Sequence, residues 1–417
     1  MSTLIVVGAG MAGLSAAVFA AAAGKRVVLY ETAGQAGGRC RSYYDAALDA
    51  VIDNGNHLVL SGNPAVQAYL RLIGAENALT GPAQAKFAFV DLAGGARWTV
   101  RPDDGLLPWW IFDAARRVPG TGPGDYLKLM ALFLAGPAAR IEDAIPCRGA
   151  LWRKFVRPLL LAALNTEPEK ASAALAGAVL RETLAKGGRA CRPRIAHPNL
   201  AAAFVEPALR MLAGNGAMIH FGQRLRRIVF EGQNVLALEF PENTVPVAPD
   251  DRVVLALPPW VATGLVPGLT APTEFRSIVN AHFKCAPPAD APAMLGVIGG
   301  MAEWIFAFPG RISVTVSAAE AVIERDREEL AQRLWQDVAA ALRLPCGLPG
   351  WQIVKEKRAT FAATPEQAAK RPGAATGWRN LILAGDWTDT GLPATIEGAL
   401  RSGRKAAQLA GARGNAA

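Results

Sequence analysis

The chain has 417 residues, is 51% hydrophobic and carries a formal net charge of +9, which is long enough for two domains and too apolar for a disordered protein. Its five cysteines (Cys40, Cys147, Cys191, Cys285 and Cys346) lie far apart, form no CxxC pair and are odd in number, so neither a disulfide framework nor a zinc site is suggested and a reducing cytoplasm is the simplest compartment. Four histidines without ligand spacing predict no metal, and the lack of a basic run interleaved with aromatics predicts no nucleic-acid partner.

Nothing before Lys25 is charged. A signal peptide needs a basic start, and the glycines at 8, 10 and 13 instead predict strand, turn and helix. Residues 4–7 are a short β-branched run, 14–23 an alanine-rich helix, and 26–30 a second strand that ends at Glu31. The turn Gly8-Ala9-Gly10-Met11-Ala12-Gly13 has the GxGxxG form. Its first glycine permits the turn, the second admits a pyrophosphate, and the third lets helix and strand pack closely. Glu31 stands where an acid hydrogen-bonds an unphosphorylated ribose, as in FAD or NAD.

Downstream, Gly37-Gly38-Arg39 pairs two backbone N–H groups with a guanidinium, a second anion-binding element. Residues 109–161 read as apolar helical segments broken by Pro and Gly. Strands are predicted over 225–230, 235–240 and 253–257, sheet over 278–316, and a helix over 319–342. The last block returns to a strand at 380–384, a turn at 385–393 and a helix at 394–409.

The order of these motifs resembles the amine oxidase and phytoene desaturase superfamily. That resemblance implies an α/β fold: a Rossmann-like FAD-binding domain of discontinuous segments (1–75, 206–262 and 356–417) with an inserted α+β substrate domain. The substrate domain takes 76–205, its helical part, where membrane contact and a buried lid are both open, and 263–355, its sheet part. The cofactor implied is FAD. Gly8, Gly10, Met11, Ala12, Gly13, Glu31, Gly37, Gly38 and Arg39 would bind it, with Leu225 reaching adenine through its backbone. In Gly385-Asp386-Trp387, Gly385 belongs to the third flavin motif and Asp386 would meet the ribityl or phosphate end. Thr395 and Ile396 would lie in the first turn of the last helix, whose positive end stabilises charge on the flavin ring.

Fuller strings resemble the hydroxysqualene dehydroxylases: Asp53-Asn54-Gly55-Asn56-His57, Ile278-Val279-Asn280-Ala281-His282-Phe283, Lys357-Arg358-Ala359-Thr360-Phe361 and the block over 385–399. This implies reductive conversion of hydroxysqualene to squalene. His57 is the first candidate for the acid that protonates the departing hydroxyl and His282 the second; Ile278, Asn280 and His282 share one face of a strand, the face expected to line the cavity. The strand over 277–283 lacks the lysine common near flavin N5 in amine oxidases. Residues 358–367 contain no cysteine, so FAD is expected to be dissociable. A carotenoid-type desaturase is the nearest alternative; an amine oxidase or a non-redox prenyl-lipid carrier fits less well.

The expected partner is an isoprenoid lipid. NADPH or an electron-donor protein would supply electrons, since no second nucleotide fingerprint is visible. Greasy segments at 106–112 and 127–134, flanked by Arg116, Arg117, Lys128, Arg140, Arg153, Lys154 and Arg157, suit either the inner face of the cytoplasmic membrane or a buried lid.

Overall fold

A computed structural model describes residues 2–412. The strand Thr3–Val7 is buried along its whole length, the pattern of a parallel strand covered on both faces. It lies at the centre of a five-stranded parallel sheet in the order Met218–His220, Arg26–Tyr30, Thr3–Val7, Arg252–Leu255, Leu381–Leu383. Strands from the beginning, middle and end of the chain therefore build one sheet.

Two helices on this sheet touch through backbone. Helix Met11–Ala22 is rich in alanine, and helix Ile396–Gly411 presents Gly403 to it. A Cβ on Gly403 would lie 2.1 Å from the Ala12 carbonyl oxygen, so only glycine permits this approach. Ser15 Oγ then donates to the Leu400 carbonyl at 2.8 Å, which satisfies a hydroxyl that would otherwise be costly to bury.

The second layer is a seven-stranded mixed sheet in the order Trp351–Phe361, Phe275–Phe283, Arg311–Val316, Trp304–Phe308, Met294–Ile298, Phe87–Asp91, Arg97–Val100. Side chains alternate across it. Val279, Ala281, Phe283 and Val314 pack on helix Arg327–Leu342 through Leu334 and Trp335. The opposite face carries Asn280, His282, Ser313 and Thr315, paired in register as Asn280 with Thr315 and His282 with Ser313.

Several expected elements differ. Phe87–Asp91 and Arg97–Val100 are strands, although 76–205 reads as helical in sequence; Phe87–Asp91 pairs in parallel with Met294–Ile298. Strand Trp351–Phe361 runs across the boundary expected at 355. The helix expected over 319–342 is a short turn, Ala319–Ala321, followed by Arg327–Leu342, whose start is set by Asp326 accepting from the Glu328 and Glu329 amides. Residues 109–161 form short turns and helices, including Trp109–Phe112, Pro123–Leu127, Lys128–Phe133 and Arg157–Leu164.

Candidate functional site

The first glycine turn joins Thr3–Val7 to helix Met11–Ala22. Gly8 has a φ of +105°, a conformation open to glycine and strained for other residues. The helix start has no side-chain cap and no acidic residue in its first turn, which leaves its N–H groups and positive dipole end to an anion. Gly10 faces open space, with nothing within 4 Å of a Cβ built on it.

The second glycine pair closes over the first turn: Gly37 N–H donates to the Ala9 carbonyl at 2.8 Å, and Gly10 bridges to Gly37. Gly37 and Gly38 have φ values of +109° and +56°. An uncapped helix start beside a cleft with no Cβ suits a dinucleotide pyrophosphate.

Glu31 stands at the end of the second strand, as expected. Its Oε2 accepts from the Ala9 amide at 2.6 Å and its Oε1 from the Ala33 amide at 2.8 Å. The carboxylate is thus fixed against the glycine turn, and each oxygen keeps a further acceptor site for a ribose hydroxyl. Leu225 is buried in the loop before strand Arg227–Glu231. That loop is tied to the same corner by the Gln223 amide donating to the Glu31 carbonyl at 2.8 Å.

The third motif meets the second through charge. Arg39 Nη2 lies 2.7 Å from Asp386 Oδ2, and Arg39 Nη1 also donates to the Ala359 carbonyl. Gly385 has a φ of +155° and its amide donates to Ser402 Oγ at 2.9 Å. Arg371 supports this loop from behind, with Nη2 donating to the Asp386 carbonyl, the Thr388 carbonyl and Thr390 Oγ1. Burial pulls the Arg371 guanidinium down to about 10. This clamp went unread in the sequence, where Arg371 belongs to no motif.

The last helix corrects one expectation. Thr395 is its N-cap, not part of the first turn: its Oγ1 accepts from the Gly398 amide at 3.0 Å, and Ile396 is the first helical residue. Glu397 points away from the helix axis. Its two oxygens accept from the Ala65 and Val66 amides at 3.0 Å each, at the start of helix Pro64–Leu72. Arg401, itself paired with Glu182, completes this buried junction. Glu397 is therefore a joint between helices.

The three polar candidates separate. His57 lines a narrow crevice with Asp53, Asn56, Ile195, Phe306 and Phe308. Burial first, then the Arg39 charge, brings its imidazole down to about 4. Asn56, which sequence reasoning did not single out, donates from Nδ2 to Thr315 Oγ1 at 3.1 Å and to the Val314 carbonyl at 3.2 Å. Its Oδ1 is buried without a hydrogen-bond partner. Thr315 Oγ1 in turn donates to Asn280 Oδ1 at 2.8 Å. Asn280 thus backs Asn56 both through Thr315 and directly, its Oδ1 accepting from the Asn56 backbone amide at 3.4 Å.

His282 is brought to the same sheet face but not into the crevice. It has no exposed surface, with Nδ1 2.8 Å from Ser313 Oγ and Nε2 3.0 Å from the Asp53 carbonyl. Burial, reinforced by the Arg311 charge, lowers its imidazole to about 3. With both ring nitrogens engaged, His282 ties the sheet to the 53–57 loop.

Comparison with known proteins agrees with this geometry. The profile of flavin containing amine oxidoreductases matches residues 11–410. Among solved structures, a cyclohexylamine oxidase from Brevibacterium oxydans aligns with a TM-score of 0.72 at 14% identity, covering 98% of this chain and 99% of that one. A putative protoporphyrinogen oxidase from an Exiguobacterium species aligns with a TM-score of 0.69 at 15% identity, covering 98% of each chain. These likenesses show the fold.

Closer relatives are proteins named hydroxysqualene dehydroxylase. The one from Rhodopseudomonas palustris is 55% identical over 99% of both chains, and the one from Sinorhizobium fredii is 53% identical over 97% of both. A third, from Zymomonas mobilis, is 49% identical over 98% of this chain and 99% of its own. The chain belongs to the flavin-containing amine oxidoreductases and, within them, to the hydroxysqualene dehydroxylase family.

Proposed function

We propose that this protein removes the hydroxyl of hydroxysqualene reductively to give squalene, using FAD held without a covalent bond. One observation carries this: identity of 49% to 55% with three proteins of that name across nearly the whole chain. The phosphates belong at Gly8, Gly10, Gly13 and Gly37–Gly38, beside the free N–H groups of Met11, Ala12 and Gly13. Arg39 and Asp386 take the middle of the molecule, Glu31 and the Leu225 backbone the adenosine end, and the Thr395–Ile396 helix start the ring. When bound and reduced, the flavin supplies the hydride.

The chain's own residues handle the hydroxyl. Asn56 Oδ1 is placed to accept a hydrogen bond from it, and its orientation is fixed through Thr315 and Asn280. His57, the adjacent residue, delivers the proton with which the oxygen leaves as water. Loss of water breaks the C–O bond and leaves an allylic cation; the hydride closes it, so two electrons are consumed in each turnover. Phe306 and Phe308 keep the crevice apolar, which disfavours capture of the cation by water and gives it ring faces. NADPH, or a reduced electron-donor protein, replenishes those electrons.

Steady-state assay of the purified holoenzyme, with hydroxysqualene in detergent and a chemical reductant, tests the proposal. Squalene should accumulate in proportion to enzyme. No squalene under these conditions, together with desaturation of phytoene when the oxidised holoenzyme receives that lipid and an electron acceptor instead, would assign the chain to a carotenoid-type activity.

A further inference from the structure

Half of the large apolar side chains that stand exposed among the described residues fall within one window, 106–134. Leu106, Leu107, Trp109, Phe112, Leu127 and Leu134 are between 61% and 89% exposed. Contiguous apolar patches are uncommon on soluble proteins and mark an interaction surface. The turns that carry them are divided: Trp110, Ile111, Tyr126 and Leu132 are buried beneath, and Trp110 meets Tyr126 edge-on at 5.1 Å. The buried halves anchor the segment, so the outer halves are held outward by a packed base. A buried lid is therefore the wrong description of this face.

Charge identifies the occupant. Residues 144–166 contain Arg148, Arg153, Lys154 and Arg157 and no acidic residue. The stretch packs against the turn between the two apolar segments: Lys154 Nζ donates to the Pro119 carbonyl at 3.4 Å, and a Cβ on Gly120 would lie 3.8 Å from the Ala150 Cβ. Arg148 and Arg153 are exposed and, among the described residues, form no ion pair. No described helix is long and apolar enough to cross a membrane. Apolar side chains projecting beside unpaired cations match a leaflet bearing anionic headgroups, with Trp109 at headgroup depth.

We infer that the 106–134 face, with Arg148 and Arg153 at its margin, docks the protein on the surface of an anionic lipid bilayer. Its usefulness rests on the lipid-substrate reading above, since a substrate as insoluble as hydroxysqualene resides in such a leaflet. The surface itself is read from exposure and charge alone.

Cosedimentation of the flavin-loaded protein with phosphatidylcholine vesicles, with and without phosphatidylglycerol, tests it. Binding should require phosphatidylglycerol and weaken with salt. Arg148→Glu with Arg153→Glu, and separately Leu107→Ser with Trp109→Ser, should each lower the bound-to-free ratio about tenfold or more, with flavin content and turnover in detergent unchanged. Equal binding by both pairs of variants, or no binding to either vesicle, overturns the inference. So does a solution dimer that Leu107→Ser with Trp109→Ser dissociates, because a second copy would then be the occupant. Vesicle binding without squalene formation in detergent would remove the catalytic reading and leave the docking surface standing.

Discussion

The carbonyl oxygen of Gly8 lies 1.8 Å from the place a Cβ on Gly13 would occupy. Two glycines of one turn thus serve different ends. Gly13 is required by the fold, whereas a Cβ on Gly10 would face open space, so under the proposed cofactor placement only a ligand requires a glycine there. Gly13→Ala should cost roughly 1–3 kcal/mol or more, because backbone must move. Gly10→Ala should leave the flavin-free protein within about 1 kcal/mol of the parent while weakening FAD binding about tenfold. Chemical denaturation and flavin titration of both variants separate the two effects; equal loss of stability would show that Gly10 is structural too.

Arg39 and Asp386 join motifs that are 347 residues apart in sequence. Asp386 is largely buried while the Arg39 side chain is 43% exposed, so the pair is partly screened and contributes mainly by fixing the two loops against each other. Asp386→Ala should weaken flavin binding about ten- to a hundredfold, as expected for loss of one charge-assisted contact. Isothermal titration of the flavin-free protein gives the number. Undiminished affinity would place Asp386 outside the cofactor site.

His282 makes stability depend on pH. Its folded-state imidazole, at about 3, lies below the ordinary value of about 6.5. The unfolded chain therefore binds a proton that the folded chain refuses. The stabilisation is complete above about pH 6.5 and is lost as pH falls from there toward 3. His282→Ala should destabilise the protein by about 2–4 kcal/mol, since it leaves Ser313 Oγ and the Asp53 carbonyl unpaired beside a cavity. It should also flatten the acid limb of a plot of denaturation midpoint against pH. An unchanged limb would mean that other groups set it.

His57 carries the opposite expectation, a loss of turnover without loss of fold. His57→Gln should retain flavin and reduce kcat at least a hundredfold, the usual worth of a positioned proton donor. With its imidazole near 4, the protonated form grows as pH falls, so kcat/KM should rise from pH 7 toward pH 5 in the parent. The variant's profile should be flat. A parent profile that is flat over this range removes His57 as the proton source.

The flavin-binding half was legible because glycine chemistry is local. A strand, a GxGxxG turn and a helix at 3–22 announce themselves within a few residues, whereas the last helix starts at Ile396, later than its expected start at 394, because Thr395 caps it. The strands Phe87–Asp91 and Arg97–Val100 did not, because Phe87–Asp91 is fixed by parallel pairing with Met294–Ile298, some two hundred residues away. Similarly, the alternation of strand Phe275–Phe283 placed Asn280 and His282 on one face but left their fates unseparated. Ser313 and Asp53 close His282 into the core, while Thr315 links Asn280 to Asn56. In the 106–134 window, Trp109 is exposed and Trp110 buried. Composition cannot distinguish adjacent residues of the same type, and the packing beneath decides.

The most direct measurement is a single turnover without oxygen: holoenzyme reduced in advance, mixed with hydroxysqualene, and followed by flavin absorbance and product extraction. One squalene should form for each flavin reoxidised, with no reoxidation in the absence of substrate. Reduced flavin that persists in the presence of hydroxysqualene, with the alcohol recovered intact, would contradict the proposed reaction.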